Sequence, residues 1–292
     1  MCADLDTLLI AVYCAACALF PADEAPRRGR PELITDNELV CVMVAQMLLQ
    51  CPSDRVFLRR ARRRLGGLFP FLPSQSRYNE RARSLAPKLI VLWKALACET
   101  LGATDNLRLL DTTPLPCGQS VNTTRTSELA SWAGFGYCAA HSRHYWGFKL
   151  VLLCAPDGTV CDFDLVAANT SEREAALELL AANRIAGSTI ICDKGFAGRD
   201  FEAAVSELKA LLLRPSRADE PERPDPPIGW IRQRIESIIQ TLKDRLCLER
   251  HGGRTPAGLL ARVGARMLAL CACIALNQRL GLPSRELAPY AD

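Results

Sequence analysis

The N-terminal part of the sequence lacks an apolar run long enough to cross a bilayer. Its run LLIAVYCAACALF, at residues 8–20, has 13 residues, whereas a transmembrane helix needs about 20. Asp4 and Asp6 precede this run, where a signal peptide would carry positive charge. We therefore predict a buried helix here, with no targeting role and no contact with a membrane.

A disulfide framework and a zinc motif are also absent from the sequence. The 14 cysteines are scattered, mostly in apolar stretches. Cys14 and Cys17 have a redox or metal spacing, but they lie in an apolar helix without a second pair, so we interpret them as core residues. Cysteines of this kind fit a reducing compartment, and we expect a cytoplasmic protein.

An excess of charge of one sign is confined to one stretch. The formal net charge over 292 residues is only +4, yet nine arginines and a single acid, Glu80, lie between Arg55 and Arg83. Such a block is typical of a surface that binds a polyanion, most simply nucleic acid. The alternative is a solvated helix face.

This basic region is predicted to consist of short helices. A capping box at residues 35–38 opens an apolar helix, Ser53 is placed to cap the next one, and a third begins near Ser76. Their outer faces carry arginines, of which Arg59, Arg62 and Arg63 are the predicted DNA contacts; Arg55, Arg77, Arg81 and Arg83 are also predicted to lie on these faces. We predict that residues 1–104 form an all-α DNA-binding domain.

Strand-like patterns begin at residue 107. The predicted elements are strands at 107–111, 147–155 and 159–168, a helix at 171–182, a strand at 189–192, a helix at 199–209 and a strand at 211–214. This β-β-β-α-β-α-β order is that of the ribonuclease-H-like fold, in which the first and fourth strands lie side by side. We therefore predict a second, α/β domain over residues 105–292, with a mixed five-stranded sheet flanked by helices and with C-terminal helices.

Two of the predicted strands end in an aspartate. Asp111 closes the first strand, and Asp193 follows the fourth. Ligands and catalytic groups gather at the carboxyl ends of strands in open α/β sheets, so adjacent strands would present both carboxylates to one site. The alternative is that Asp193 only caps the helix that follows it.

A third carboxylate lies on the helix after a proline-rich, charged loop at 214–228. Arg232, Glu236 and Lys243 form one row on this helix, beside its apolar stripe. Simple pairing of these charges on a solvated face is the alternative.

Three carboxylates in one pocket repel one another unless a cation offsets the repulsion. Oxygen ligands favour Mg²⁺ or Mn²⁺ over zinc, and two such ions can clamp the attacking and leaving oxygens of an in-line phosphoryl transfer. Arg232 and Lys243 are suited to holding phosphates. We therefore predict an enzyme of metal-dependent phosphoryl transfer that uses two ions.

Five segments together resemble the DDE transposases of bacterial insertion sequences. They are Asp111-Thr112-Thr113-Pro114, Tyr145-Trp146-Gly147-Phe148-Lys149-Leu150, Cys192-Asp193-Lys194-Gly195-Phe196, Arg232-x3-Glu236-x6-Lys243 and Glu249-Arg250-His251-Gly252-Gly253-Arg254-Thr255. The likeness extends over most of the chain. In one departure, Gly229, with Trp230 beside it, stands where the family often has Tyr.

The resemblance implies that Asp111, Asp193 and Glu236 form a catalytic, metal-binding triad. The enzyme would cut double-stranded DNA at the terminal inverted repeats of its element and join the 3′ ends to target DNA, as a homodimer in the cytoplasm near the bacterial nucleoid. Arg232 and Lys243 would contact DNA. The sequence leaves open whether Lys149 (in the segment from Tyr145) does the same or only borders the sheet.

Two other functions remain open at this point. A structure-selective nuclease of the ribonuclease-H-like fold would keep the ions but cut DNA without joining it. A catalytically silent DNA-binding derivative would keep only the basic surface. The complete set of three carboxylates argues against the silent derivative, because uncompensated acids in one pocket are costly.

Overall fold

The structure is a computed structural model that describes residues 3–21, 32–118, 120–138, 142–218, 220 and 228–291. Its helices are α1 (Leu5–Leu19), α2 (Asp36–Leu48), α3 (Asp54–Arg64), α4 (Gln75–Ser84), α5 (Ala86–Cys98), α6 (Val121–Thr126), α7 (Glu172–Ala181), α8 (Arg199–Glu207), α9 (Gly229–Asp244) and α10 (Pro256–Leu280). Its strands are β1 (Leu107–Gly118), β2 (Gly134–Cys138), β3 (Arg143–Cys154), β4 (Val160–Ala167), β5 (Thr189–Ile191) and β6 (Leu211–Leu213). Residues 219 and 221–227 of the expected loop at 214–228 lie outside the described residues.

These elements form two compact units. The helical unit contains residues 1–100 together with 242–292, and the sheet unit contains residues 101–241. The N-terminal region is thus all-α, as the sequence predicts. Residues 242–292, which the sequence analysis grouped with the sheet, cluster with the N-terminal helices instead.

Helix α10 accounts for this grouping. It packs against α5, α2, α4 and α1, and nearly every residue from Gly258 to Asn277 is buried. Its length and apolar composition would also fit a membrane span, but 89% of its most apolar window is buried inside the fold. It is therefore the core helix of the helical unit, on which the apolar faces of the N-terminal helices close.

The basic region forms its helices for local reasons that are readable in the sequence. The capping box of α2 is present, since Thr35 Oγ1 accepts from the Glu38 N–H at 3.2 Å and the Glu38 carboxylate accepts from the Thr35 N–H at 2.6 Å. Ser53 occupies the position before α3, but its side chain makes no capping hydrogen bond. Helix α3 buries Phe57 and Ala61 and leaves its arginines on the opposite face.

The sheet confirms the ribonuclease-H-like α/β class and adds a sixth strand to the predicted five. Strand β1 pairs antiparallel with β3 and parallel with β5, and β6 continues the sheet in parallel beside β5. Both β4 and β2 pair antiparallel with β3, along its residues 148–154 and 143–147 respectively. Strand β2 was not predicted from the sequence, because its five residues, GFGYC, include two glycines, which weaken a strand pattern.

Alternation along β1 places the side chains of Leu110 and Asp111 on opposite faces of the sheet. Leu110 lies in the core with Val151 of β3 and Ile190 of β5, and helices α7 and α8 supply the rest of this cluster. Asp111 is the next residue along β1, so its side chain leaves the sheet on the face away from this core. Backbone alternation therefore keeps the carboxylate out of the apolar cluster.

Gly147 shows why one of the resembling segments needs a glycine. Its φ is +155°, and a Cβ at this position would lie 2.3 Å from the carbonyl oxygen of Leu115 on β1. Residues with a side chain rarely adopt this conformation, and the contact with backbone could not relax without moving β1. Gly147 therefore permits the close approach of β3 to the strand that carries Asp111.

Candidate active site

The sheet brings Asp111 and Asp193 next to each other. Parallel pairing joins Leu107 to Thr189 and Leu109 to Ile191. If this register is extended by two residues beyond the paired segment, Asp111 falls level with Asp193, and paired strands lie about 5 Å apart. Strand β5 ends at Ile191, so both aspartates lie where the paired part of the two strands finishes.

Asp111 is the electrostatic centre of this region. Its Oδ1 accepts the N–H of Thr112 at 2.7 Å. Burial, followed by the charges of Asp193, Glu172 and Glu236, raises the pKa of Asp111 to about 7, against the opposing effect of the Thr112 N–H. Four carboxyl groups from β1, α7, α9 and the end of β5 thus share one electrostatic environment, in which a cation would be stabilised.

Arg232 on α9 connects two of these carboxylates. Its Nη1 lies 2.9 Å from Asp193 Oδ1 and 3.4 Å from Glu236 Oε1. Asp193 also accepts the N–H of Lys194 at 2.7 Å, so it caps the short 3₁₀ turn at Lys194–Phe196 while it faces the site. The side chains of Asp193 and Glu236 are 45% and 55% exposed, which leaves both accessible to a ligand from solvent.

The donor set suits a hard divalent cation, although it is not arranged as a closed ligand shell. Within the described ranges, no three His, Cys, Asp or Glu side chains lie close enough together to hold a metal ion. All donors here are carboxylate oxygens, which Mg²⁺ and Mn²⁺ prefer, and the raised pKa of Asp111 is what a cation would reverse. Arg232 occupies the oxygens of Asp193 and Glu236 for which an ion would compete.

Glu172 belongs to this region and was missed by the sequence analysis. It lies in the first turn of α7. From the sequence alone, an acid at this position is interpreted as one that stabilises the helix N-terminus. In the structure its Oε1 accepts a hydrogen bond from Thr112 Oγ1 at 3.1 Å, and Lys149 Nζ lies 3.7 Å from the same oxygen. No local sequence signal marks this role, because Thr112 and Glu172 are 60 residues apart.

The two lysines singled out in the sequence are both engaged within the protein. Lys149 Nζ donates to the carbonyl oxygen of Thr170 at 2.8 Å, and its side chain is only 12% exposed. Lys243 Nζ lies 3.1 Å from Glu249 Oε1, in the helical unit, with its side chain 19% exposed. For Lys149 these contacts favour the reading in which it borders the sheet.

The arginines of the basic region are not all alike. Arg59, Arg62 and Arg63 are exposed on α3. Arg81 was expected on an outer face but is buried, with its guanidinium 2.6 Å from Asp36 Oδ1 and 2.8 Å from the carbonyl oxygen of Ile34. Its acidic partners precede the basic stretch in sequence, so counting charges between Arg55 and Arg83 could not reveal them.

Residues 102–272 match the family model described as the transposase DDE domain. The chain belongs to this DDE transposase family. The match contains Asp111, Asp193 and Glu236, and it continues beyond the sheet unit into α10. Membership of the family supports a transposase function for the chain.

Two solved structures of transposases are similar to this DDE transposase chain. A piggyBac transposase synaptic complex with hairpin DNA shares 13% sequence identity, with 97% of this chain and 75% of that chain covered and a TM-score of 0.45. A pre-cleavage Mos1 transpososome shares 12% identity, with 89% and 82% covered and a TM-score of 0.21. No match to a curated protein sequence was found. The family assignment rests on the family model alone.

Proposed function

We propose that this DDE transposase cleaves DNA at the ends of its own element and joins the 3′ ends to target DNA. The observation that carries the proposal is that Arg232 Nη1 lies 2.9 Å from Asp193 Oδ1 and 3.4 Å from Glu236 Oε1. After burial, the charges of these two acids also help to raise the pKa of Asp111. Ordinary capping explains a single aspartate, but it does not explain why the charges of Asp193, after β5, and of Glu236, on α9, both act on Asp111 of β1. Asp111, Asp193 and Glu236 are the proposed catalytic residues.

Two Mg²⁺ or Mn²⁺ ions are the proposed cofactors, and the same three carboxylates are their proposed ligands. When bound, such ions would activate the attacking oxygen and stabilise the leaving oxygen of a phosphodiester. The protein's part is to concentrate negative charge at a partly open position. Asp111 is half-buried, whereas Asp193 and Glu236 are more accessible.

Arg232 is proposed to bind a phosphate of the DNA substrate. A guanidinium can hold two phosphate oxygens at once, and that of Arg232 already lies beside Asp193 and Glu236. In the complex with DNA, the phosphate would bind Arg232 and the cation would bind Asp193 and Glu236, in place of the ion pairs that these side chains now form with each other. Lys243 on the same helix is proposed as a second DNA contact, which requires it to exchange Glu249 for phosphate.

The exposed arginines of α3 are proposed to hold the terminal inverted repeats. Arg59, Arg62 and Arg63 present three positive charges from one short helix, and such contacts act mainly on phosphates and depend strongly on salt. The substrate would be double-stranded DNA, and a homodimer would handle the two element ends together. The cytoplasm is the proposed location, where the 13 cysteines of the described ranges, none of which is in a disulfide, would stay reduced.

The decisive experiment separates cleavage from joining. Duplexes taken from the DNA that flanks the coding region are incubated with protein, Mg²⁺ and a target plasmid, and both products are resolved on a gel. We expect wild-type protein to yield both, and Asp193→Asn to yield neither while it still binds the duplex. Asp200→Asn, an exposed aspartate at the start of α8, is the matched control and keeps both activities.

The other outcomes identify the alternatives. Cleavage without joined product would make the protein a nuclease. Binding without any cleavage by the wild type would make it a silent DNA-binding derivative. Full cleavage by Asp193→Asn would contradict the assignment of Asp111, Asp193 and Glu236 as catalytic residues.

A further inference from the structure

Glu172, in the first turn of α7, lies beside Thr112 of β1 and beside the turn that follows Asp193. Its Oε1 accepts a hydrogen bond from Thr112 Oγ1 at 3.1 Å. Its Oε2 faces Gly195 and lies 3.7 Å from the position of a Cβ on that residue. One carboxylate therefore lies against both the residue after Asp111 and the turn after Asp193.

Thr112 connects Glu172 to Asp111. The N–H of Thr112 donates to Asp111 Oδ1 at 2.7 Å, while its hydroxyl is held by Glu172. Rotation of the Thr112 backbone would turn this N–H away from Asp111, and the bond to Glu172 opposes such a rotation. The acid on α7 thus acts on the direction of the Asp111 carboxylate through one intervening residue.

The first turn of α7 is itself anchored on both sides. Lys149 Nζ donates to the carbonyl oxygen of Thr170 at 2.8 Å and lies 3.7 Å from Glu172 Oε1. Arg173 Nη1 donates to the carbonyl oxygen of Ala197 at 2.8 Å, which ties α7 to the segment that follows Asp193. The positive charge of Lys149 therefore lies beside the carboxylate of Glu172.

A helix N-terminus stabilises an acid in its first turn without any such contacts. Glu174 provides the comparison, because it lies in the same turn of α7 but is exposed. Stabilisation by the helix acts on both acids alike. Only Glu172 bonds to the strand that carries Asp111.

We infer that Glu172 is a positioning residue of the proposed metal site, which orients the Asp111 carboxylate through Thr112 and fixes the turn that carries Asp193. This inference rests on the proposed function. Groups that bond to metal ligands orient them, and their loss typically costs about 10-fold to 100-fold in metal affinity or activity. Lys149 serves the same purpose by holding α7 in place.

The test measures Mn²⁺ binding to the full chain without DNA, by titration with detection of free Mn²⁺ by electron paramagnetic resonance. The variants are Glu172→Ala, Thr112→Val, which removes the hydroxyl but keeps the shape, and Thr112→Ser, which keeps the hydroxyl. Glu174→Gln is the matched control. We expect about 10-fold weaker Mn²⁺ binding in Glu172→Ala and Thr112→Val, and wild-type affinity in Thr112→Ser and Glu174→Gln.

Folding and function are controlled separately. Circular dichroism establishes that each variant is folded, and Thr112→Val covers the case in which Glu172→Ala does not fold. Unchanged Mn²⁺ affinity in folded Thr112→Val and Glu172→Ala, with cleavage by the wild type intact, would overturn the positioning role alone. Absence of Mn²⁺ binding by the wild type would overturn the proposed metal site and this inference together.

Discussion

The guanidinium of Arg232 lies 2.9 Å from the carboxylate of Asp193, across 39 residues of sequence. The same nitrogen lies 3.4 Å from Glu236, one turn along α9. Arg232 therefore offsets part of the charge that the proposed site would otherwise offer to a cation. Removal of this side chain should affect ion binding and DNA chemistry in opposite directions.

For Arg232→Met, we expect tighter Mn²⁺ binding to the protein alone and weaker cleavage of DNA. The first effect follows because two carboxylates lose a competing cation; the second follows because a phosphate contact is lost. Titration calorimetry measures the ion affinity, and a gel assay measures cleavage. Arg234→Met, an exposed arginine on the same helix, should change neither, and weaker ion binding in Arg232→Met would contradict the assignment.

Asp111→Asn should stabilise the metal-free protein at high pH. The folded-state pKa of Asp111 is about 7, above its ordinary value of 3.8, so folding favours the protonated form. The ionised group destabilises the fold progressively as the pH rises from about 4 to 7, by on the order of 4 kcal/mol at most above that range. Urea unfolding in the presence of a chelator should show a higher free energy of unfolding for Asp111→Asn than for wild type at pH 8, and no such difference at pH 4.

Divalent ions provide the control for this effect. With Mg²⁺ in excess, wild type should gain stability by mass action and the Asn variant should gain less. Equal stability of the two proteins at pH 8 without ions would contradict this prediction, because it would show that the ionised carboxylate of Asp111 does not destabilise the fold.

Replacement of Arg59, Arg62 and Arg63 by Gln should weaken binding to DNA and flatten its salt dependence. If all three contact phosphates, the slope of log K against log salt falls by roughly 3, since each contact contributes about 0.9. Fluorescence anisotropy with labelled duplex at several salt concentrations measures this slope. Arg184→Gln, an exposed arginine of the sheet unit, serves as the control, and an unaltered slope in the triple variant places the arginines outside the interface.

Gly147→Ala should destabilise the protein by about 2 kcal/mol or more. The added Cβ would meet the Leu115 carbonyl at 2.3 Å in a backbone conformation with φ of +155°. Gly67→Ala offers a matched comparison, because a Cβ there meets nothing within 4 Å, and it should be close to neutral. Urea unfolding of both variants decides, and a neutral Gly147→Ala would show that β3 can move away from β1.

Local patterns sufficed to predict most of the sheet and the position of Asp111 and Asp193. Apolar runs of strand length followed by an acid are visible in sequence, and the order of the elements then fixes which strands lie side by side. The predicted end of the first strand at Asp111 was wrong, because β1 continues to Gly118 in antiparallel pairing with β3. The fold class followed from that order. Strand β2 did not, because two glycines interrupt its short pattern.

Contacts between distant residues could not be predicted in this way. The burial of Arg81 depends on Glu32 and Asp36, and the bond between Thr112 and Glu172 joins two elements whose facing surfaces carry no sequence signature. The association of α10 with the N-terminal helices could not be predicted for the same reason, since it also depends on contacts between distant parts of the chain. The apolar composition of a helix predicts that it is buried, but it does not predict which elements pack against it.

The helical unit is discontinuous in the chain, since α10 belongs to it and the whole sheet unit is made before α10. During synthesis the first five helices leave the ribosome without the partner that covers their apolar faces. They stay partly uncovered until α10, which follows the whole sheet unit in the chain, has been translated, and such intermediates are prone to aggregate. The helical unit of this transposase is therefore completed only after the sheet unit has been synthesised.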